Sequence, residues 1–430
     1  MNTITSKQTP WQSKLAKTTT FQQLVREHGC VQVVSPQQLQ ETMQTWERTF
    51  QNIQFFPAYK AIRSPALLRT IKKQGWGIDV SSQGELEQAL KEGFENISCS
   101  GAKSNKYLEQ AVQHNCLICV DNFSELQRIQ QPARILLRIA NPEYSEHTDI
   151  AKKTRFGIDK KELPAIRTYL KEHPYLSHTG YQFHGDGYTP EMKAKIIEFF
   201  LQEILLDTQE RFTPEIINIG GGIPVLKHEN AQEIQERVVS LQRGEYNSFL
   251  TPEKKQEYEK LLRKELTKKQ PQDYIQEILH TQSSQGVSIQ QLLKECQVQL
   301  MMEPGYSLFW NTGCSGFHVI ETKKIEENYV IVEGTMFSMS SRMFEHIFDP
   351  QLLSNQKQEL YEAYIIGILC REDDYLQGRK ISFPQQPKTG DILFYFNTGA
   401  YAHYETTESQ QQQKPAYYYL SEKGELKHDL

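Results

Sequence analysis

The sequence predicts an α/β fold, a (β/α)8 barrel followed by a separate β domain, and two observations carry that reading. Eight short apolar runs alternate with helix-period segments between about residues 52 and 305. After residue 305 the texture changes to strands alone. Regular alternation of strands and helices implies parallel βα units, and eight such units suggest a closed barrel.

The runs occupy 53–60, 76–80, 97–101, 117–120, 135–140, 181–184, 216–220 and 298–303. Helical spacing is plain after the second, where Leu86, Leu90 and Phe94 recur on one face. Beyond the barrel, 317–321, 329–333, 364–370 and 392–397 read as strands of the β domain. The run Val31–Val34 offers that domain a further strand. The chain therefore divides into an N-terminal segment, 1–45, contributing to the β domain, a barrel over 46–305, and a C-terminal β domain over 306–430. Residues 226–297 are rich in Gln, Glu and Lys and read as a solvated helical excursion between the last two barrel strands.

Composition narrows the function class. Of 430 residues, 38% are hydrophobic and 23% charged, enough apolar surface for a large core. A net charge of −5 without a concentrated basic face gives no support for nucleic-acid binding. No run of about 18 apolar residues suggests a membrane span, and the polar start lacks a signal core, so a cytoplasmic location is expected. Seven cysteines without ribbon spacing read as reduced thiols. Cys116 and Cys119 form a CxxC pair inside an apolar run, which reads as strand packing, and no metal site is expected.

Polar residues cluster where the barrel strands end: Lys60, Asp79, Arg138, His184, Gly220 and Glu303. Active sites of such barrels lie at that end. Each residue alone also fits a strand that simply meets water. A lysine at the partly desolvated mouth has its neutral amine favoured, as imine formation requires. The turn Gly220-Gly221-Gly222 exposes backbone N–H groups after the seventh strand, where barrel phosphate sites often lie, although a plain turn has the same sequence. The Glu303 carboxylate can pair with a protonated ring nitrogen, which for pyridoxal 5′-phosphate (PLP) makes the pyridine a strong electron sink. His184 can stack on a flat cofactor or serve structure alone. Cys370 offers a thiol among charged groups, either a proton donor or a strand end, and Tyr401 offers a phenol to a phosphate.

Taken in order, these motifs resemble the fold-type III PLP-dependent decarboxylases, the group of the diaminopimelate, ornithine, arginine and carboxynorspermidine decarboxylases. The matching segments are Tyr59-Lys60-Ala61, the Asp79, Ser82 and Glu85 spacing, and Ser100-Gly-Ala-Lys103. They continue with Leu137-Arg-Ile-Ala-Asn-Pro142, Arg155-Phe-Gly157, the glycine triplet, Glu303-Pro-Gly305, Gly367-Ile-Leu-Cys370 and Gly399-Ala-Tyr401. The resemblance runs from about residue 21 to 420 and implies a barrel of the alanine-racemase type.

It also implies roles. Lys60 holds PLP as a Schiff base, His184 stacks on the ring, and Glu303 pairs with the ring nitrogen. The glycine triplet and Tyr401 hold the phosphate, while Asp79, Glu85 and Arg138 line the cofactor. Cys370 protonates the carbanion left by carbon dioxide, from the partner subunit of a homodimer with shared active sites. Two departures put the substrate in question. The family's Glu-Pro-Gly-Arg ends here in Tyr306, and the diaminopimelate enzymes' Cys-Glu-Ser-x-Asp is Cys370-Arg-Glu-Asp-Asp374. Tyr306, Glu372, Asp374 and Arg342 are the residues expected on the substrate side. The expected activity is decarboxylation of an amino acid with an altered substrate. An amino-acid racemase, a non-catalytic PLP carrier, and a decarboxylase of a modified or carrier-bound amino acid stay open as alternatives.

Overall fold

The computed structural model describes residues 6–140, 154–209, 212–228, 230–245, 248–339, 347–354, 359–401, 410–412 and 414–429. Strand β1 (Cys30–Val34) comes first and is wholly buried. The barrel strands follow: β2 (Ile53–Phe55), β3 (Ile78–Val80), β4 (Ile97–Cys99), β5 (Leu117–Val120), β6 (Ala133–Arg138), β7 (Leu176–Gln182), β8 (Ile216–Asn218) and β9 (Gln299–Met302). They form one parallel sheet in the order β2-β9-β8-β7-β6-β5-β4-β3. A parallel bridge between Ala58 and Asp79 joins the two ends of the row, with the Asp79 N–H donating to the Pro57 carbonyl at 3.0 Å. All eight expected barrel strands are present.

Side-chain chemistry fixes where the connecting helices begin. Ser64, Ser82, Ser104 and Asn122 stand at N-cap positions, each side chain accepting the backbone N–H three residues on. Such caps satisfy a helix donor that has no intrahelical partner. The helix faces turned inward carry the apolar residues, including Leu67, Ile71, Leu86, Leu108 and Leu126, all buried.

The second domain is a curled sheet. Its strands are β10 (Gly313–Lys324), β11 (Asn328–Val332), β12 (Gln351–Leu353), β13 (Tyr361–Ile366), β14 (Ile381–Phe383), β15 (Ile392–Tyr395), β16 (Ala416–Leu420) and β17 (Leu426–His428). β1 lies inside it, antiparallel to β10 and parallel to β16. Alternate residues of β10 explain how one strand serves two cores: Phe317 and Val319 pack in one cluster with Tyr395, and Cys314 packs in another with Val31 and Phe394. The strand expected over 364–370 lies earlier, at β13, and is followed by a turn. There Asp374 draws in the N–H groups of Met336 and Leu369 at 2.7 and 2.8 Å.

The segment 226–297 behaves as two parts. Helices Ala231–Gln242 and Pro252–Leu266 pair through Ile234, Val238, Leu241, Tyr258 and Leu262 and cover Ile347 and Phe348. This hairpin is tied to the β domain. Leu250 N donates to the Gly378 carbonyl at 3.2 Å, and Arg379 lies 4.7 Å over the Tyr258 ring. Helices Pro271–His280 and Ile289–Glu295 instead pack on helix Pro190–Gln209 and join the barrel core through Tyr274, Ile278, Ile289 and Leu293. The polar composition hid that division because only one face of each helix is apolar. Among the described residues no helix is long and apolar enough to cross a membrane.

Candidate active site

The site is built at the C-terminal ends of the barrel strands. β2 stops at Phe55 because Phe56-Pro57 follows, and proline has no N–H for the ladder. The chain then turns through a 3-10 helix, Tyr59–Ala61, which raises half-buried Lys60 at the mouth. Lys60 therefore sits in a turn beyond the strand rather than at its last residue. Its charge acts on both Asp79 and His184.

Asp79 is the middle residue of the adjoining strand β3 and is buried. Ser100 donates to its Oδ2 at 2.9 Å, while Oδ1 is buried without a hydrogen-bond partner. Burial, and next the charge of Glu303, hold its carboxyl well above the usual carboxylate range, against the pull of Ser100 and Lys60. Glu303 follows β9 and is buried too. Its Oε1 accepts from the Asn218 amide at 2.6 Å and from the Gln182 amide at 3.4 Å. Neighbouring strand ends thus supply donors that fix one carboxylate.

His184 stands in the mouth on the loop after β7. Its Nδ1 accepts the Gly221 N–H at 3.3 Å, which leaves any proton of the neutral ring on Nε2. Solvent reaches the ring, although the walls of the barrel mouth surround it. Desolvation, then the charges of Lys60, Lys193 and Arg138, lower the imidazole to about 3. A neutral, flat ring at this place is suited to stacking on a cofactor.

The glycine triplet is required by sterics. Gly220 and Gly222 have φ of 62° and 69°, the left-handed region that side chains avoid. A Cβ on Gly221 would lie 2.8 Å from the Glu303 carbonyl, and one on Gly222 would lie 2.5 Å from that of Gly185. Lys193, fully buried, donates to the carbonyls of Ile219 and Gly221 at 3.1 and 2.7 Å. Tyr401 comes from the β domain of the same chain. Its N–H donates to the Ala61 carbonyl at 2.8 Å, and its hydroxyl lies against Gly305.

Other expected residues stand elsewhere or carry further contacts. Arg138 ends β6, 3.5 Å from Asp121 and over the Phe156 ring at 4.7 Å. Glu85 turns to its own helix start, accepting from Ser81 N and Oγ at 2.7 and 3.0 Å. Tyr306 follows the Glu303 loop, and its hydroxyl accepts from Lys227 Nζ at 3.3 Å. Burial raises this phenol to about 12. Cys370 is exposed on the β domain, paired through its backbone with the Gln410 amide. Beside it, Glu372 is exposed, Arg371 pairs with Asp373, and Asp374 is occupied in closing the turn. Arg342 lies outside the described residues.

Sequence reasoning missed Lys193, Asn218, Gln182 and Lys227. A signal existed for Lys193. It shares a helical face with Ile197, Phe200, Leu201 and Ile204, so its spacing places a lysine on a buried stripe.

A family model described as "Pyridoxal-dependent decarboxylase, pyridoxal binding domain" matches residues 36–256, just over half of the chain. The chain belongs to the pyridoxal-dependent decarboxylases. It is 27% identical over 373 residues to an uncharacterized protein, y4yA, of Sinorhizobium fredii, covering 83% of this chain and 78% of that one. It is 24% identical over 418 residues to the diaminopimelate decarboxylase of Staphylococcus aureus, covering 90% and 87%. It is 27% identical over 390 residues to an L-glutamyl-[BtrI acyl-carrier protein] decarboxylase of Niallia circulans, covering 82% and 79%. In fold it is similar to the diaminopimelate decarboxylase of M. jannaschii in co-complex with L-lysine, with a TM-score of 0.73, 22% identity and coverage of 94% and 90%.

PLP is the cofactor of this family, and the chain is a PLP-dependent amino-acid decarboxylase of fold type III. Of the readings the sequence left open, decarboxylation is the one the family carries. The residues present fit the cofactor: a buried Asp79 oxygen without a partner, a glycine turn that no Cβ can enter, and a fixed carboxylate at Glu303.

Proposed function

We propose that this decarboxylase removes the α-carboxylate of an amino acid whose distal end differs from that of meso-diaminopimelate. The observation that carries this is Tyr306. Where the family's Glu-Pro-Gly-Arg motif has a guanidinium, this chain has a phenol bonded to Lys227. A planar bidentate donor is thereby replaced by a single hydroxyl and a compact ammonium, which recognise a different group. The carrier-linked substrate named for the Niallia circulans relative supports a modified amino acid as the substrate class.

Lys60 is the residue that holds the cofactor covalently. Glu303, oriented by Asn218 and Gln182, would pair with the ring nitrogen, and neutral His184 would stack on the ring. The turn Gly220–Gly222 and Tyr401 bind the phosphate. Asp79, Glu85 and Arg138 line the cofactor at the barrel wall. Held by these residues, PLP would supply an electron sink for decarboxylation. The Cys370 thiol then supplies the proton to Cα as a positioned general acid. Cys370 stands exposed on the β domain, where a partner chain can reach it, and it is proposed to act from the partner subunit of a homodimer. Tyr306, Glu372, Asp374 and Arg342 are the positions proposed on the substrate side, in a cytoplasmic enzyme.

The test is a panel of L and D amino acids and their amide-linked conjugates, screened for carbon dioxide release by the PLP-loaded protein. Release from one member other than meso-diaminopimelate is expected. Lysine formation from meso-diaminopimelate at about 1 to 1000 per second, the range of an enzyme on its own substrate, would contradict the reading.

A further inference from the structure

Helix Pro190–Gln209 places Lys193 in its first turn, with the Lys193 N–H donating to the Thr189 carbonyl at 3.1 Å. Two physical effects oppose a cation there. The helix N-terminus carries a partial positive charge, and full burial penalises an ammonium. Something must offset both.

The surroundings do so in part. Lys193 Nζ donates to the Ile219 carbonyl at 3.1 Å and to the Gly221 carbonyl at 2.7 Å, and it lies 5.7 Å over the Phe183 ring. Asp186 on the loop after β7 and Glu303 after β9 act on it favourably, but desolvation is larger and holds it down to about 7. His184, on the same loop as Asp186, feels the lysine's charge. Exposed Lys264 lies 3.9 Å from Asp186 and competes for that carboxylate.

The bond to Gly221 has a geometric consequence. In a planar trans peptide the C=O of one residue and the N–H of the next point in opposite directions. Anchoring the Gly221 carbonyl on Lys193 therefore turns the Gly222 N–H away from the lysine. We propose that Lys193 is a positioning residue, a buried ammonium beneath the glycine turn that aims the Gly222 N–H and supplies positive charge to a bound phosphate. The proposal rests on the phosphate lying at Gly220–Gly222.

A phosphate above the turn favours the charged lysine, so by linkage phosphate affinity falls as pH rises through neutrality and the lysine discharges. The test uses the full chain freed of PLP. Its probes are pyridoxine 5′-phosphate, which cannot form the covalent link, and pyridoxine, which lacks the phosphate. Binding of both is measured from pH 7 to 9, above the second phosphate ionisation near about 6.

The wild-type protein is expected to prefer the phosphorylated probe, less so at each higher pH. Lys193→Met is expected to lower that preference on the order of tenfold, as for a lost charged hydrogen-bonding group, with pyridoxine affinity unchanged. Lys193→Arg, which does not titrate in this range, is expected to keep the preference and lose its pH dependence. An undiminished preference in Lys193→Met, or an unaltered pH slope in Lys193→Arg, would overturn the proposal. Gly222→Ala separates the premise from the inference. If it leaves the preference intact, the phosphate is not at this turn; if it alone removes the preference, the turn binds phosphate without Lys193.

Discussion

The Asn218 side-chain amide donates to Glu303 Oε1 at 2.6 Å, and its own Oδ1 accepts the Gly220 N–H at 2.9 Å. One buried residue thus ties the carboxylate proposed for the ring nitrogen to the turn proposed for the phosphate. Asn218→Ala should free both at once. A lost hydrogen bond to a charged group costs about 1.5–3 kcal/mol, so kcat/KM for carbon dioxide release is expected to fall roughly ten- to hundredfold. Unchanged kcat/KM would show that Glu303 is held adequately by Gln182 alone.

His184 should remain neutral well below the ordinary histidine range. Its lowered pKa means that the unfolded chain binds the proton more readily. Its stabilising contribution is therefore fully present above about 6.5 and is lost as pH falls from there toward about 3. NMR of the imidazole in the cofactor-free protein checks this. A midpoint below 5 is expected, and a midpoint near 6.5 would contradict the desolvated, cation-flanked environment.

The helical hairpin 231–266 owes its seat on the β domain partly to a buried ion pair. Arg379 Nη1 lies 2.6 Å from Asp349 Oδ1, with both side chains 3% exposed. Removing one partner leaves the other charge buried, which costs about 3–5 kcal/mol. Asp349→Ala should therefore lower the thermal midpoint and make the hairpin the first region open to proteolysis. Retention of wild-type resistance would refute that role.

Legibility differed by kind of signal. Most barrel strands were readable because parallel strands buried on both faces are near-continuous apolar runs, whereas β7, with Ser177, His178 and Thr179 in its first half, starts well before the run expected over 181–184. The mouth residues were readable because each lies at, or within a few residues of, the end of a barrel strand. Lys193, Asn218 and Gln182 were not singled out, since a buried polar residue shows its purpose only through the partner it finds across the barrel. The end of β13 was misplaced for a related reason. Ile368 and Leu369 extend the apolar pattern, but Asp374 bends the backbone there through hydrogen bonds from Met336 and Leu369. Tyr306 was visible as a departure, while Lys227, which gives it a partner, lies 79 residues away.

Cys370 tests the dimer. Lys60→Ala and Cys370→Ala proteins, each nearly inactive, are mixed in equal amounts until their subunits have exchanged. Half of the dimers are then mixed, and each mixed dimer has one intact site only if lysine and thiol come from different chains. Recovery of about a quarter of wild-type activity is expected from this symmetry. No recovery, with exchange verified by mass, would place the two groups in one chain.

The central claim is that Lys60 carries the cofactor. The PLP-loaded protein is reduced with borohydride, digested, and its peptides are mapped for the pyridoxyl group. The label is expected on the peptide containing Lys60, with the visible absorption and the label both absent from Lys60→Ala. A pyridoxyl group on Lys193, Lys227 or any other lysine would contradict the account.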